Sequence, residues 1–267
     1  GTGNYQKDGP RKHLRLLANI ASPLYLIVAA KRSTGITDLA QLKGRKGPLK
    51  LVIGEQYTDI IFPYYGLSME SLKAAGITEV FLCLGYKAQT VLDYFGDGSK
   101  WGMKLEYQIE SSPRGTAGAV RDLSPKLHGD VLVVYGDLYV AMDCGKLLAF
   151  HGARPGAATL VVCPTDHPLD SDMVKTDGEK ITGFFRPKEG DQFENIAAAA
   201  IWVVRKSLLD AVPEGTPSDF GRQTFPQALA AGQTLYAYRT REQVEDIGTP
   251  DRRENFLRRW DLLFKRK

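Results

Sequence analysis

The sequence of 267 residues has few cysteines, no long apolar run and none of several common catalytic motifs. Its three cysteines include no Cys-x-x-Cys pair, which argues against a disulfide framework and against a cysteine-rich zinc site. We therefore expect buried free thiols and a reducing, cytoplasmic location. A transmembrane helix needs about 20 apolar residues. The longest apolar stretch, 17–30, is interrupted by Asn19, Ser22 and Pro23, so no membrane partner is expected.

The Walker A, Gly-x-Gly-x-x-Gly and His-Glu-x-x-His motifs are all absent. Basic charge is confined to the two ends: residues 1–50 carry a net charge of +8 and residues 252–267 a net charge of +5, whereas residues 51–251 carry −9. A nucleic-acid-binding protein more often has a basic stripe on its folded body, so no nucleic-acid partner is expected. The asymmetry also suggests that residues 1–50 differ in origin from the rest.

From residue 76 onward, apolar strands alternate with amphipathic helices. This alternation predicts an α/β fold with a Rossmann-like mixed, mostly parallel sheet flanked by helices. Strands are predicted at 77–84, 104–110, 131–135, 158–163, 181–185, 196–204 and 234–238, and helices at 88–95, 116–123, 145–151 and 250–264.

Two carboxylates follow predicted strands or turns and are candidate metal ligands. Asp137 follows Gly136 after the β-branched run Val131–Tyr135, at the strand end where α/β proteins bind ligands. Asp246 precedes a Gly-Thr-Pro turn before the last helix. Mg²⁺ commonly takes one or two protein carboxylates, with phosphates and water completing its shell. Each aspartate could equally serve only as a helix cap or turn residue.

A glycine-rich turn at residues 113–118 precedes a predicted helix, and small residues there allow a nucleotide to approach the backbone. The alternative is an ordinary tight turn, with Arg114 either attracting an anion or simply solvated. The loop 166–172 contains three aspartates and a histidine. A polar loop rich in Asx turns is favoured there over a metal site.

In this order, the motifs resemble the sugar-1-phosphate nucleotidyltransferase family, particularly its mannose- or heptose-1-phosphate guanylyltransferase-like branch. The resemblance covers about residues 70–260. The resemblance rests on seven segments of the sequence, residues 76–87, 93–98, 113–119, 135–137, 158–160, 225–226 and 246–250. It implies a nucleotide-diphospho-sugar transferase fold and a reaction between a nucleoside triphosphate and a sugar 1-phosphate, which yields a nucleotide sugar and pyrophosphate.

The resemblance also implies roles for particular residues. Asp137 and Asp246 would be catalytic carboxylates that bind Mg²⁺. Arg186 and Lys188 would bind the sugar phosphate, with Lys188 also catalytic. Gly115, Thr116 and Gly118 would bind the nucleotide. A homo-oligomer is possible.

The sequence departs from the family pattern at three places. The glycine-rich GGxGTRL signature that cradles the triphosphate is absent from residues 1–75, and the strand at 50–54 is followed by Glu55 and Asp59. The usual Glu-Lys-Pro is replaced by Phe185-Arg-Pro-Lys188, and Ala198 takes the place of a sugar-binding asparagine.

Residues 1–70 resemble instead a fragment of a TAXI-type solute-binding receptor of TRAP transporters. We therefore predict a receptor-like segment over 1–48, and a nucleotidyltransferase-like domain over 49–267 that lacks the usual phosphate loop, so that the chain would be a chimera. Two alternatives to an active transferase follow. One is a catalytically impaired homologue that binds nucleotide or sugar phosphate, and the other is a periplasmic solute-binding protein.

Overall fold

The computed structural model describes residues 76–77, 79–85, 88–127 and 129–264. The predicted receptor-like segment and the strand expected at 50–54 lie outside the described residues. The described strands are β1 (Glu79–Leu84), β2 (Lys104–Ile109), β3 (Val131–Val134), β4 (Leu138–Ala141), β5 (Ala158–Cys163), β6 (Met173–Asp177), β7 (Lys180–Phe185), β8 (Ala197–Val204), β9 (Leu235–Arg239) and β10 (Gln243–Asp246). The described α-helices are α1 (Ala88–Phe95), α2 (Gly115–Asp122), α3 (Cys144–Gly152), α4 (Lys206–Asp210), α5 (Phe225–Ala230) and α6 (Pro250–Phe264).

Six strands form the main described sheet, in the order β3-β8-β5-β9-β7-β6. A mixed sheet with flanking helices is confirmed, but the expected predominance of parallel pairs is not found among the described strands. Only β5–β9 in this sheet, and β1–β2 outside it, run parallel. The reason is that β8 runs antiparallel between β3 and β5, and β6 and β7 form a hairpin.

The central strands β5 and β8 are apolar on both faces because helices or turns cover each side. Leu160 and Trp202 face a cluster formed with α2, α4, α5 and the π-helical turn Phe220–Thr224. The neighbouring Val161 and Ile201 face the opposite way and pack with Leu147 of α3. This alternation is the two-residue period of a strand, and it explains why both runs read as continuous apolar segments.

The strands β4 and β10, which the sequence pattern did not predict, form a separate antiparallel pair. Asp246 lies opposite Leu138 in this pair, and the N–H of Ile247 donates to the carbonyl of Asp137 at 2.9 Å. Helix α6 then packs through Phe256 against Ile247 and Tyr139. Residues 137 and 246, far apart in sequence, are thereby brought side by side. Within the described ranges, no helix has both the length and the apolar character needed to cross a bilayer.

Candidate functional site

The structure brings the two predicted metal-binding carboxylates together. Asp137 lies between β3 and β4, and Asp246 is the last residue of β10. Gly248 lies between them: its N–H donates to Asp246 Oδ1 at 2.8 Å, and a β-carbon at its position would be only 2.6 Å from Asp137 Oδ2. The Asp-Ile-Gly turn therefore allows two acidic side chains to share one small region.

The closeness of the Asp137 and Asp246 carboxylates is electrostatically unfavourable, and a bound cation would offset this repulsion. Burial raises the pKa of Asp137 above its usual range, and the nearby negative charge of Asp246 raises it further, whereas Arg252 acts in the opposite direction. Two close carboxylates of which one is partly desolvated are a suitable donor set for a hard cation. A cation held there would need phosphate oxygens or water to complete its shell, since the described residues contain no cluster of three or more metal-ligating side chains.

Arg252, which sequence analysis did not single out, ties Asp246 to the loop 166–172. Its guanidinium Nη1 donates to Asp246 Oδ2 at 2.8 Å, and its Nη2 donates to the carboxylate of Asp170. His167 Nε2 lies 3.5 Å from the same oxygen of Asp246. The only sequence signal for this role is the position of Arg252 in the first turn of α6.

The internal contacts of the loop 166–172 agree with a polar, turn-rich segment. Asp166 Oδ1 lies 2.6 Å from His167 Nδ1, and the Ser171 hydroxyl donates to the carbonyl of His167 at 2.9 Å. Its remaining two carboxylates, Asp170 and Asp172, accept from arginines outside the loop.

The predicted nucleotide-binding glycines lie against another loop of the protein. The N–H groups of Ala117 and Gly118 both donate to the carbonyl of Ser218, at 2.9 and 3.1 Å. A β-carbon on Gly115 would be 2.4 Å from that carbonyl oxygen, and the φ of Gly115 is +70°. Close packing of the turn therefore requires a glycine at position 115 independently of any ligand.

Thr116 connects this turn to the interior of the site. Its hydroxyl donates to Asp219 Oδ2 at 2.9 Å and accepts from the N–H of Phe220 at 3.0 Å. Tyr135 lies near this threonine, and burial raises the pKa of the tyrosine above its usual range.

The three basic side chains considered as ligands for an anion or a phosphate, Arg114, Arg186 and Lys188, have different surroundings. Arg114 forms a two-pronged ion pair with Asp122, with N–O distances of 2.7 and 2.9 Å, and so is neither solvated nor open to an anion. Arg186 donates from Nε and Nη2 to Asp172 Oδ1, at 3.1 and 2.8 Å. Lys188 is exposed, and its backbone N–H donates to Asp191.

A cavity of about 200 Å³ lies beside Thr116 and Asp219. Polar and aromatic side chains form most of its wall. Ala198 and Ala200 of β8 also line it, and their small side chains leave space within it. Arg186 lines this cavity, whereas Lys188, Asp137 and Asp246 do not. Sequence analysis did not assign the other polar and aromatic members of the lining to this cavity. They come from four separate segments: Tyr135, Asp172, Trp202, and Asp219 with Arg222 and Phe225.

The fold and the carboxylates at its strand ends define an α/β protein of the class that binds ligands beyond the carboxyl ends of its strands. Comparison with protein families makes this specific, since the profile described as "Nucleotidyl transferase" matches residues 56–255. The chain belongs to the nucleotidyl transferase family.

Several curated relatives are mannose-1-phosphate guanylyltransferases. The protein of that name from Mycobacterium tuberculosis is 32% identical over 198 residues, which are 73% of this chain and 54% of the relative. Mannose-1-phosphate guanylyltransferase 1 of Arabidopsis thaliana is 31% identical over 190 residues, covering 68% of this chain and 52% of the relative. The chain thus spans about half the length of the curated relatives it matches.

Solved structures support the fold. HddC from Yersinia pseudotuberculosis aligns with a TM-score of 0.61 and 21% identity over 81% of this chain and 96% of HddC. HddC in complex with GMP-PN aligns with a TM-score of 0.60 and 20% identity, over 72% of this chain and 83% of that one. At these identities the likeness concerns the fold alone.

Proposed function

We propose that the chain acts as a sugar-1-phosphate nucleotidyltransferase, joining a nucleoside triphosphate to a sugar 1-phosphate with release of pyrophosphate. The observation that carries this proposal is the pairing of β4 with β10, which places Asp137 and Asp246 together at the ends of strands. The guanylyltransferase relatives favour GTP as the triphosphate and mannose 1-phosphate as the first sugar to test.

In the proposed reaction, an oxygen of the sugar phosphate attacks the α-phosphorus of the triphosphate. The bond from that phosphorus to the bridging oxygen breaks, and pyrophosphate leaves with the electron pair. No protein nucleophile is required, because catalysis consists of positioning and of stabilising the phosphate charge.

Residues of this chain would supply both effects. Asp137 and Asp246 would hold Mg²⁺, which when bound neutralises part of the charge on the triphosphate. Arg186 and Lys188 would hold the phosphate of the sugar, and Gly115, Thr116 and Gly118 would lie along the nucleotide. A cytoplasmic location and a homo-oligomer remain predictions of the sequence.

A second candidate function is a binding protein without turnover. Two observations favour it: the amide groups of Ala117 and Gly118 already donate to Ser218, and Asp246 is already paired with Arg252. A nucleotide or cation would have to compete with these internal contacts. Binding of GTP and mannose 1-phosphate without pyrophosphate release would identify this function.

The deciding experiment measures pyrophosphate release with Mg²⁺, the four common nucleoside triphosphates and a panel of sugar 1-phosphates including mannose 1-phosphate. We expect turnover that Asp137→Ala abolishes and that Asp177→Ala leaves unchanged, since Asp177 is an exposed carboxylate at the end of β6. Equal activity of the Asp137→Ala and wild-type proteins would contradict the assigned role of Asp137. No turnover by the folded wild-type protein, with ligand binding retained, would favour the second function.

A further inference from the structure

The cavity beside Thr116 contains a carboxylate that the proposed site does not yet use. Asp172 lies just before β6, and its backbone carbonyl accepts from the N–H of Ala198 at 2.9 Å. This contact fixes the position of its backbone against β8. Its side chain lines the cavity.

Arg186 and Gly221 hold the Asp172 carboxylate in place. Both hydrogen bonds from Arg186 fall on Oδ1, at 3.1 and 2.8 Å. The other oxygen lies over Gly221, where a β-carbon would be 2.0 Å from Oδ2. An ionised carboxylate offers about four acceptor positions, so these contacts leave capacity to accept from a ligand.

Trp202 adds a buried hydrogen-bond donor to the wall of the same cavity. Its residue exposure is 3%, and its buried indole Nε1 has no hydrogen-bond partner in the part of the chain that the structure describes. A buried donor without a partner costs about 1–3 kcal/mol, so a ligand atom that accepts from it would be favoured. Trp202 lines the same cavity as Asp172.

The size and walls of the cavity suit one sugar ring. Cavities for drug-sized ligands have roughly 300–1,000 Å³, and this one has about 200 Å³. Tyr135, Trp202 and Phe225 provide aromatic surface, and the charges of Asp172 and Asp219 are balanced by those of Arg186 and Arg222. A neutral, hydroxyl-rich ring both donates and accepts hydrogen bonds, so it matches such a lining better than an apolar or strongly charged group.

We propose that Asp172 determines sugar specificity by accepting hydrogen bonds from hydroxyl groups of the sugar ring, while Arg186 keeps its carboxylate in position. Trp202 donates its indole N–H to a ring or hydroxyl oxygen of the same sugar. This inference rests on the proposed transferase function, and it assigns Arg186 a positioning role in addition to phosphate binding. The substrate class is a sugar 1-phosphate whose neutral ring presents a hydroxyl donor to Asp172.

The test compares Asp172→Asn with Asp177→Asn, a matched change at the exposed end of the same strand region. Calorimetry with mannose 1-phosphate and, separately, with GTP measures the two affinities without requiring turnover. We expect Asp172→Asn to weaken sugar phosphate binding at least about tenfold, with GTP binding within about twofold of wild type, because one buried polar pairing with the sugar is lost. In the active enzyme, the same change would raise KM for the sugar 1-phosphate more than it lowers kcat.

Trp202→Phe provides a second variant, since it keeps an aromatic ring and removes the indole N–H together with the five-membered ring that carries it. We expect it to weaken sugar phosphate binding about threefold to tenfold with GTP binding retained, and to lower the melting temperature, because the smaller ring leaves a space in the core around this 3% exposed residue. Unchanged sugar affinity in both variants would overturn the inference. So would equal losses of sugar phosphate and GTP affinity, or failure of the wild-type protein to bind any sugar 1-phosphate in the panel.

These outcomes are distinct from failure of the proposed function. If the wild-type protein binds GTP and mannose 1-phosphate but releases no pyrophosphate, the transferase proposal fails. The sugar-binding role of Asp172 is then still decided by the calorimetric comparison.

Discussion

Gly248 lies directly against the carboxylate of Asp137, and a β-carbon at position 248 would be 2.6 Å from Asp137 Oδ2. The N–H of the same glycine donates to Asp246 Oδ1 at 2.8 Å. One residue without a side chain thus sets the spacing of both candidate metal-binding carboxylates.

We therefore expect Gly248→Ala to displace Asp137 and to lower kcat/KM at least about tenfold, because small misplacements of catalytic groups cost large factors in rate. The measurement is pyrophosphate release, together with the melting temperature. Gly183→Ala is the control, since a β-carbon at Gly183 meets no atom within 4 Å. Equal activity of the two variants would show that Asp137 adjusts without loss of function.

Replacing Gly115 by alanine should destabilise the protein more than the same change at Gly129, because only Gly115 lies against another backbone segment. Both have positive φ, +70° and +84°, but a β-carbon at Gly115 would be 2.4 Å from Ser218 O, whereas one at Gly129 meets nothing within 4 Å. Gly129→Ala is expected to cost about 1 kcal/mol of unfolding free energy through its backbone conformation alone. Gly115→Ala adds a backbone clash, and we expect it to cost at least about 1 kcal/mol more. Urea unfolding of both variants measures the difference, and equal losses would refute the close-packing argument.

Ala200 holds a backbone conformation that glycine adopts more easily. Among the described residues it is the single non-glycine residue with positive φ, at 55°, and it lies where the β5–β8 register shifts. We expect Ala200→Gly to increase the unfolding free energy by about 0.5–1 kcal/mol, because the strain of the left-handed region is removed. Ala199→Gly, one residue earlier, is expected to decrease it by a similar amount. Urea unfolding measures both, and destabilisation by Ala200→Gly would contradict the prediction.

His151 makes stability depend on pH. Burial lowers its pKa; Arg205 acts in the same direction, whereas Asp130 opposes it. The unfolded state therefore binds a proton near pH 6.5 while the folded state stays neutral. Stability from this residue is complete above that pH and is lost as the pH falls from about 6.5 toward the folded pKa.

Melting temperatures at pH 7.5 and 5.5 test this prediction. We expect the wild-type protein to lose more stability on acidification than His151→Gln, because glutamine does not titrate. Glutamine can still contact Thr159, whose hydroxyl lies 2.9 Å from His151 Nδ1. Identical losses in the two proteins would rule out His151 as the source.

Sequence patterns predicted the long elements well. The helices α1 and α6 and the strand β5 have the predicted bounds. In each of these elements, two local signals indicate the bounds: the spacing of apolar residues and a glycine or proline at or near one end. The strands β4, β6 and β10 were missed because they are short and lack the continuous valine-rich run that marks the equally short β3.

The sequence by itself determined the family and the candidate carboxylates, because the order of the motifs and the residues that follow each apolar strand can be read along the chain. Tertiary structure alone decided which residues meet. Pairing of β4 with β10 joins Asp137 to Asp246, and the fold places Asp172 with Arg186 and Trp202 around one cavity. These contacts depend on strand register and on backbone approach at Gly221 and Gly248, which act between distant segments and leave no local periodicity in the sequence.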